Sequence, residues 1–376
     1  MKIVIMSVTA GEGHNSTARA MRDYFTAHGA QAEILDTYGY ASPTVMKSIN
    51  QTYLWVSAHA KNAYKLGYRL AEKRRTMKEL EFTPAQIIQL PLVFEINEYL
   101  NTSKPDAIVF THPFAGLILD VLKREEKITM PTVGVLTDFT FHPYWEDCTH
   151  NDYVVIPSPA LRFQAYRKGF TDAQLLPFGI PIHPKFSQSM PKAEARASLS
   201  LDPALPTLLL MGGSMGYGNM ADSLAALDAL ETGTDFQIIC VCGNNEKAKA
   251  QIDKMETRRR VLNLGFVDYV DRLMDAADCI VTKPGGLTTS EALAKRLPMI
   301  IVNPIPGQEA RNAEFLLNSG AAVSVNKMCT MEELVCRLFE SERRMQSMRL
   351  SIDELRRPDS TRDVCAFVMK KAGEAL

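Results

Sequence analysis

Short apolar runs, each closed by glycine, proline or polar residues and followed by a longer stretch of helical composition, recur along most of this chain. Residues 2–6 read as a β-branched strand, 7–13 as a loop, 15–28 as a helix and 32–36 as a second strand, which makes a βαβ opening. Strand-like runs return at 106–110, 132–136 and 153–156, with helices over 114–124 and 159–168. A second series begins at 207–211 and continues through 237–241, 261–264 and 279–281, and helices over 331–345 and 356–371 close the chain. Strands that alternate with helices predict parallel sheets, and two such series predict two units. The segment between them, 176–184, is dense in proline and glycine and reads as an interdomain crossing. The expected domains are 1–178 and 179–376, with the last helix a candidate to pack back on the first.

Residues 41–102 break the alternation and read as a helical insertion. Within it Tyr53, Trp55, Tyr64 and Tyr68 interleave with Lys65, Arg69, Lys73, Arg74 and Arg75, a composition suited to a helix lying on an anionic membrane surface. A solvated helix packed on its domain by the aromatics fits the pattern equally. Elsewhere charge adds little: a net charge of -1 argues against a nucleic-acid partner and leaves any basic patch local. With 376 residues and 46% hydrophobic content, the chain can bury the cores of two domains. Its seven cysteines include no C-x-x-C pair and fit buried thiols in a reducing compartment, not a metal site or a disulfide framework. The start lacks a signal-peptide pattern, and no apolar run reaches the roughly eighteen residues of a membrane span. The expected location is therefore the cytoplasm, with peripheral attachment to the inner face of the cell membrane.

Candidate chemistry gathers where strands turn into helices. After the run 279–281 come Thr282, Lys283, Pro284, Gly285 and Gly286, and then a helical stretch containing Glu291. Two glycines at such a turn let a backbone approach an anion, and the helix start offers unpaired N–H groups and a positive dipole end. A nucleotide diphosphate suits that turn, a carboxylate at Glu291 suits a ribose diol, and Gln308 and Glu309 follow on the neighbouring loop. Gly212, Gly213 and Ser214, after the run 207–211, offer further backbone donors. The phosphate-loop pattern ending in Gly-Lys-Ser/Thr is absent, which disfavours an ATPase or kinase. In the first domain the loop Gly11, Glu12, Gly13, His14 lacks the third glycine of a dinucleotide fingerprint, which disfavours NAD. His14 at the helix entrance is a candidate base, with a capping or exposed histidine as the bland alternative. His112, Asp138, His142 and Trp145 follow the strands 106–110 and 132–136 and are expected near it, either as a cluster serving an acceptor hydroxyl or as an ordinary polar rim over a buried Trp.

Taken together, residues 7–14, the insertion over 53–75, Thr137 to Phe139 with His142 and Trp145, residues 179–182, Lys283 to Glu291 and Pro306 to Glu309 resemble the lipid-directed glycosyltransferases of the monogalactosyldiacylglycerol synthase and processive diacylglycerol glucosyltransferase type. The resemblance implies a GT-B architecture, two Rossmann-like parallel-sheet domains facing across a cleft. It implies an inverting, metal-independent transfer of a hexosyl group from a UDP-sugar to diacylglycerol or a related lipid, with no cofactor. By position, Gly213 and Ser214 would contact the diphosphate, Phe266 and Val267 would lie along the uracil, Glu291 would hold the ribose, and Gln308 with Glu309 would contact the sugar. The base stays open between His14, Glu12 and Asp138, because relatives can carry an acid or amide before the histidine where this chain has Thr9 and Ala10. A UDP-sugar epimerase of the UDP-N-acetylglucosamine 2-epimerase type, on a similar fold, is the alternative.

Overall fold

The computed structural model describes residues 1–8, 12–41, 84–212, 219–231 and 233–374, with the backbone alone for Glu12, Tyr38, Ala41 and 84–91. Lys65, Arg69, Lys73, Arg74, Arg75, Gly213 and Ser214 lie outside the described residues. The chain divides into two compact units, one of Met1–Pro184, Ile305–Gln308 and Asp359–Leu376, the other of Lys185–Pro304 and Glu309–Pro358. The first division thus falls at Pro184 and Lys185, not at 178/179, and the end of the chain groups with the first unit.

The first unit opens with β1 (Lys2–Ser7), α1 (Glu12–Ala27), β2 (Gln31–Asp36) and α2 (Thr37–Ala41), and resumes with α3 (Pro84–Ser103). It continues through β3 (Ala107–Phe110), α4 (Pro113–Arg124), β4 (Thr132–Val135), β5 (Tyr153–Val155), α5 (Arg162–Arg167) and β6 (Leu175–Leu176). Its six-stranded sheet runs β2-β1-β3-β4-β5-β6 with every neighbour parallel. β3 and β4 are buried at every position, as expected for strands covered on both faces.

The second unit holds α6 (Lys192–Ser198), β7 (Thr207–Met211), α7 (Met220–Asp228), β8 (Gln237–Val241), α8 (Glu246–Ile252), β9 (Val261–Leu264), α9 (Val270–Ala276) and β10 (Cys279–Thr282). After these come α10 (Gly286–Ala294), β11 (Met299–Ile301), α11 (Gln308–Asn318), β12 (Ala322–Ser324), α12 (Met331–Phe339) and α13 (Glu342–Leu355). Its sheet runs β12-β11-β10-β7-β8-β9, again parallel throughout. The single helix expected over 331–345 is two, because Ser341 caps a new start by accepting the Arg344 N–H on its hydroxyl at 3.3 Å.

The last helix, α14 (Ser360–Glu374), belongs to the first unit. Its Val364, Cys365, Val368 and Ala372 join the buried cluster of Ile3, Ile5, Ala18, Met21 and Phe25. Pro358 disfavours helix just before it. The hydroxyls of Ser360 and Thr361 then donate to the carbonyls of Ile180 and Ile182, at 2.8 and 2.5 Å.

Candidate functional site

In each sheet the chain order reverses at one point. From β1 it moves to one side for β2 and returns on the other for β3; from β7 it moves through β8 and β9 and returns on the other side for β10. The loops after β1 and β3, and those after β7 and β10, therefore part company at the carboxyl ends of neighbouring strands, where open α/β sheets bind ligands.

At the first of these points stands His14, in the first turn of α1 and half-buried. Its Nδ1 lies 2.7 Å from the carbonyl oxygen of Thr111, just past β3, and 3.1 Å from the Thr137 hydroxyl. A carbonyl only accepts, so Nδ1 carries the proton and donates, and the lone pair of the neutral ring sits on Nε2. Burial pushes His14 below the ordinary histidine value, with the Asp138 carboxylate and then the Thr111 carbonyl opposing that shift. The ring is thus neutral near pH 7, with its tautomer set by the backbone. A chain of hydroxyls braces the spot: Thr111 donates to Ser7 at 3.1 Å, and Ser7 donates to the Asn15 side chain at 3.0 Å.

His112 lies against His14, ring centroids 4.7 Å apart and edge to face. It caps α4 by accepting the Phe114 N–H on Nδ1 at 3.2 Å, and His142 does the same for Tyr144 at 3.3 Å. Burial lowers both, His112 well below its usual value and His142 to about 4, and the charges around them act in the same direction. Asp138 is half-buried on the loop between β4 and His142. The structure brings His14, His112 and Asp138 together as the sequence suggests, but Trp145 is a correction. Its indole is 2% exposed and packs against Phe110, Phe141 and Phe170, so it belongs to the core and not to an acceptor surface.

At the second point Gly285 caps α10, with no side chain bonded to the helix start and no acidic residue in its first turn. Gly285 has φ −67, and a Cβ there would meet no atom of the described residues within 4 Å. An uncapped helix start with room beside its glycine is the arrangement that receives an anion. Sequence reasoning missed Asn312, which is fully buried in α11 and donates to the Pro284 carbonyl at 2.9 Å. It ties the glycine turn to the helix that Gln308 and Glu309 open, and nothing in the local sequence marks it. Glu291, half-buried in α10, is pushed up to about 8 by burial, which Lys185 opposes and Asp271 reinforces. Lys185 pairs with Asp271 at 3.3 Å. Beyond β9, Phe266 is 68% exposed, a flat apolar face offered to solvent, beside half-buried Val267.

The chain matches the monogalactosyldiacylglycerol (MGDG) synthase family over residues 14–182 and the glycosyltransferase family 28 C-terminal domain over residues 207–355. Among curated proteins it is 27% identical over 375 residues to the processive diacylglycerol beta-glucosyltransferase of Bacillus pumilus, covering 99% of this chain and 95% of that one. Among solved structures it shares its fold with MurG of Acinetobacter baumannii, with a TM-score of 0.66, 18% identity and coverage of 98% of this chain and 99% of that one. It shares it also with the UDP-GlcNAc 2-epimerase of Neisseria meningitidis, with a TM-score of 0.59, 11% identity and coverage of 98% and 100%. The architecture is GT-B, two α/β units each built on a six-stranded parallel sheet. With one family match on each unit and a full-length relative named as a diacylglycerol glucosyltransferase, the chain is a glycosyltransferase that carries a monogalactosyldiacylglycerol synthase domain and a family 28 C-terminal domain.

Proposed function

We propose that this glycosyltransferase moves a hexosyl group from a UDP-sugar to the free hydroxyl of a diacylglycerol, with inversion at the anomeric carbon and without a metal ion, at an anionic membrane surface. The observation that carries the reading is His14, neutral and held through Nδ1 so that Nε2 is the basic nitrogen. In the proposed reaction the acceptor oxygen attacks the anomeric carbon while His14 Nε2 takes its proton, and the bond to the UDP oxygen breaks. Asp138 then stabilises the imidazolium, as its opposing effect on His14 indicates. On the other unit the helix start at Gly285 and Gly286 holds the leaving diphosphate, assisted by the backbone at Gly213 and Ser214. Glu291 holds the ribose, Phe266 and Val267 lie along the base, and Gln308 and Glu309 meet the sugar. The relative's full-length similarity supports the lipid acceptor, and Lys65, Arg69, Lys73, Arg74 and Arg75 are the proposed membrane contacts.

The test is the pH profile of transfer for the native protein and for His14→Ala, Glu12→Gln and Asp138→Asn at matched thermal stability. His14→Ala should lower the rate by about a hundredfold or more, the usual contribution of a positioned base, with UDP affinity nearly unchanged. Because the native imidazole stays neutral down to below the ordinary histidine range, the native rate at saturating UDP-sugar should hold level from pH 8 to pH 7 and fall only on further acidification. A native rate in the His14 variant contradicts the assignment, and a collapse confined to the Asp138 variant moves the base there.

A further inference from the structure

We propose that His112 is a hydrogen-bond donor that reads an acyl ester oxygen of the acceptor, next to the hydroxyl that His14 deprotonates. The inference rests on the diacylglycerol reading above and gives His112 a role in choosing among lipid alcohols. Two backbone contacts fix the chemistry. The Phe114 N–H donates to His112 Nδ1 at 3.2 Å, so that nitrogen is the acceptor and the ring proton of the neutral form sits on Nε2. His14 is held the other way round, its Nδ1–H donating to the Thr111 carbonyl at 2.7 Å. The Thr111 carbonyl and the Phe114 N–H therefore set two imidazoles, 4.7 Å apart, in opposite tautomers. One presents a lone pair and the other presents a proton, and among the described residues His112 Nε2–H has no partner.

A ligand that satisfies both rings offers a hydroxyl to His14 and, close by on the same molecule, an oxygen that only accepts. A glycerol hydroxyl beside an acyl ester has that pattern. Burial and the two neighbouring histidines keep His112 uncharged, so it holds no cation for a phosphate, and a neutral carbonyl is the better match. A helix cap is a structural duty, and it explains Nδ1, but it leaves the proton on Nε2 unused.

The test compares 1,2-diacylglycerol with the matching 1,2-dialkylglycerol, which keeps the hydroxyl and the chains but lacks the carbonyls, in mixed micelles with a UDP-sugar. The native protein should favour the diester by about three- to tenfold in kcat/KM, the worth of one neutral hydrogen bond. His112→Asn keeps a capping oxygen for the Phe114 N–H and loses the far N–H. It should bring the two lipids to equal kcat/KM by lowering the diester more than the diether. Native indifference between the lipids overturns the proposal without any variant, as does a preference that survives in a folded His112→Asn protein. Transfer to neither lipid by the native protein instead overturns the diacylglycerol reading, so the two failures are distinct.

Discussion

Glu291 shows how much a single carboxyl's surroundings decide. A glutamate in water is ionised at neutral pH, but burial in α10 raises this one to about 8, so it is mostly protonated at pH 7 before a ligand arrives. Ribose hydroxyls donate to a carboxylate and favour its ionised form, so binding lowers that pKa and releases the proton. UDP affinity should then rise with pH up to about 8 and level off above it. At pH 7 the binding enthalpy should vary with the ionisation heat of the buffer. Glu291→Ala should abolish that dependence and weaken UDP by about 1.5 to 3 kcal/mol, the range for a hydrogen bond to a charged group. A buffer-independent enthalpy in the native protein would remove Glu291 from the site. At this scale the sequence is legible where a residue announces its chemistry and illegible where a partner comes from far along the chain. His14 and Glu291 stand out in the sequence as candidates, whereas the Thr111 carbonyl that sets the His14 tautomer is 97 residues away. Trp145 misleads because an aromatic near polar loops looks the same whether it faces a pocket or a core. The better signal is Gly134 in β4, where a Cβ would come within 2.6 Å of the Phe110 ring and 2.9 Å of Trp145.

Among the elements, α4 and the turn that follows Trp145 are joined by one buried carboxylate. Asp120, 2% exposed, accepts the His150 N–H at 2.7 Å and lies 3.1 Å from His150 Nδ1. The hydrogen bond to Asp120 raises His150 above the usual histidine value, with burial and Arg124 opposing. A histidine raised in the folded state stabilises it below the unfolded value of roughly 6.5, and that gain fades as pH rises through the folded value. His150→Ala should therefore lower Tm at pH 6 by more than at pH 9. An equal deficit at both pH values would mean that the contact acts through packing alone. This clasp matters to the site because it anchors the far end of the turn that His142 opens. Strand and helix existence was legible along both series, since each apolar run and its glycine punctuation repeat the same unit. β6 and β12 were not, because two or three residues carry no periodicity. The split between α12 and α13 turned on one serine.

For the molecule as a whole, α14 closes the core of the first unit with residues from the far end of the chain. Val364 and Val368 are fully buried against β1 and α1 residues, and each such side chain is worth about 1.5 to 3 kcal/mol, against a total stability of about 5 to 15 kcal/mol for a domain. Deleting residues 359–376 should cost the first unit its cooperative thermal transition while the second keeps its own. A full-length transition profile after that deletion would show the helix to be dispensable. The sequence marked this helix and offered the first domain as its partner, but not the residues it covers, because an amphipathic stretch does not say which apolar side chains it meets. The 27% identity to a processive diacylglycerol glucosyltransferase and the two family matches support a glycosyltransferase, and the donor and base roles proposed for the Gly285 helix start and for His14 rest on geometry alone. The most direct test is transfer from a panel of UDP-sugars to diacylglycerol in mixed micelles containing anionic lipid, with product masses read directly. The account predicts a hexosyl-diacylglycerol formed with release of UDP and lost in His14→Ala. An epimerised UDP-sugar released without lipid, and no glycolipid from any donor, would contradict it.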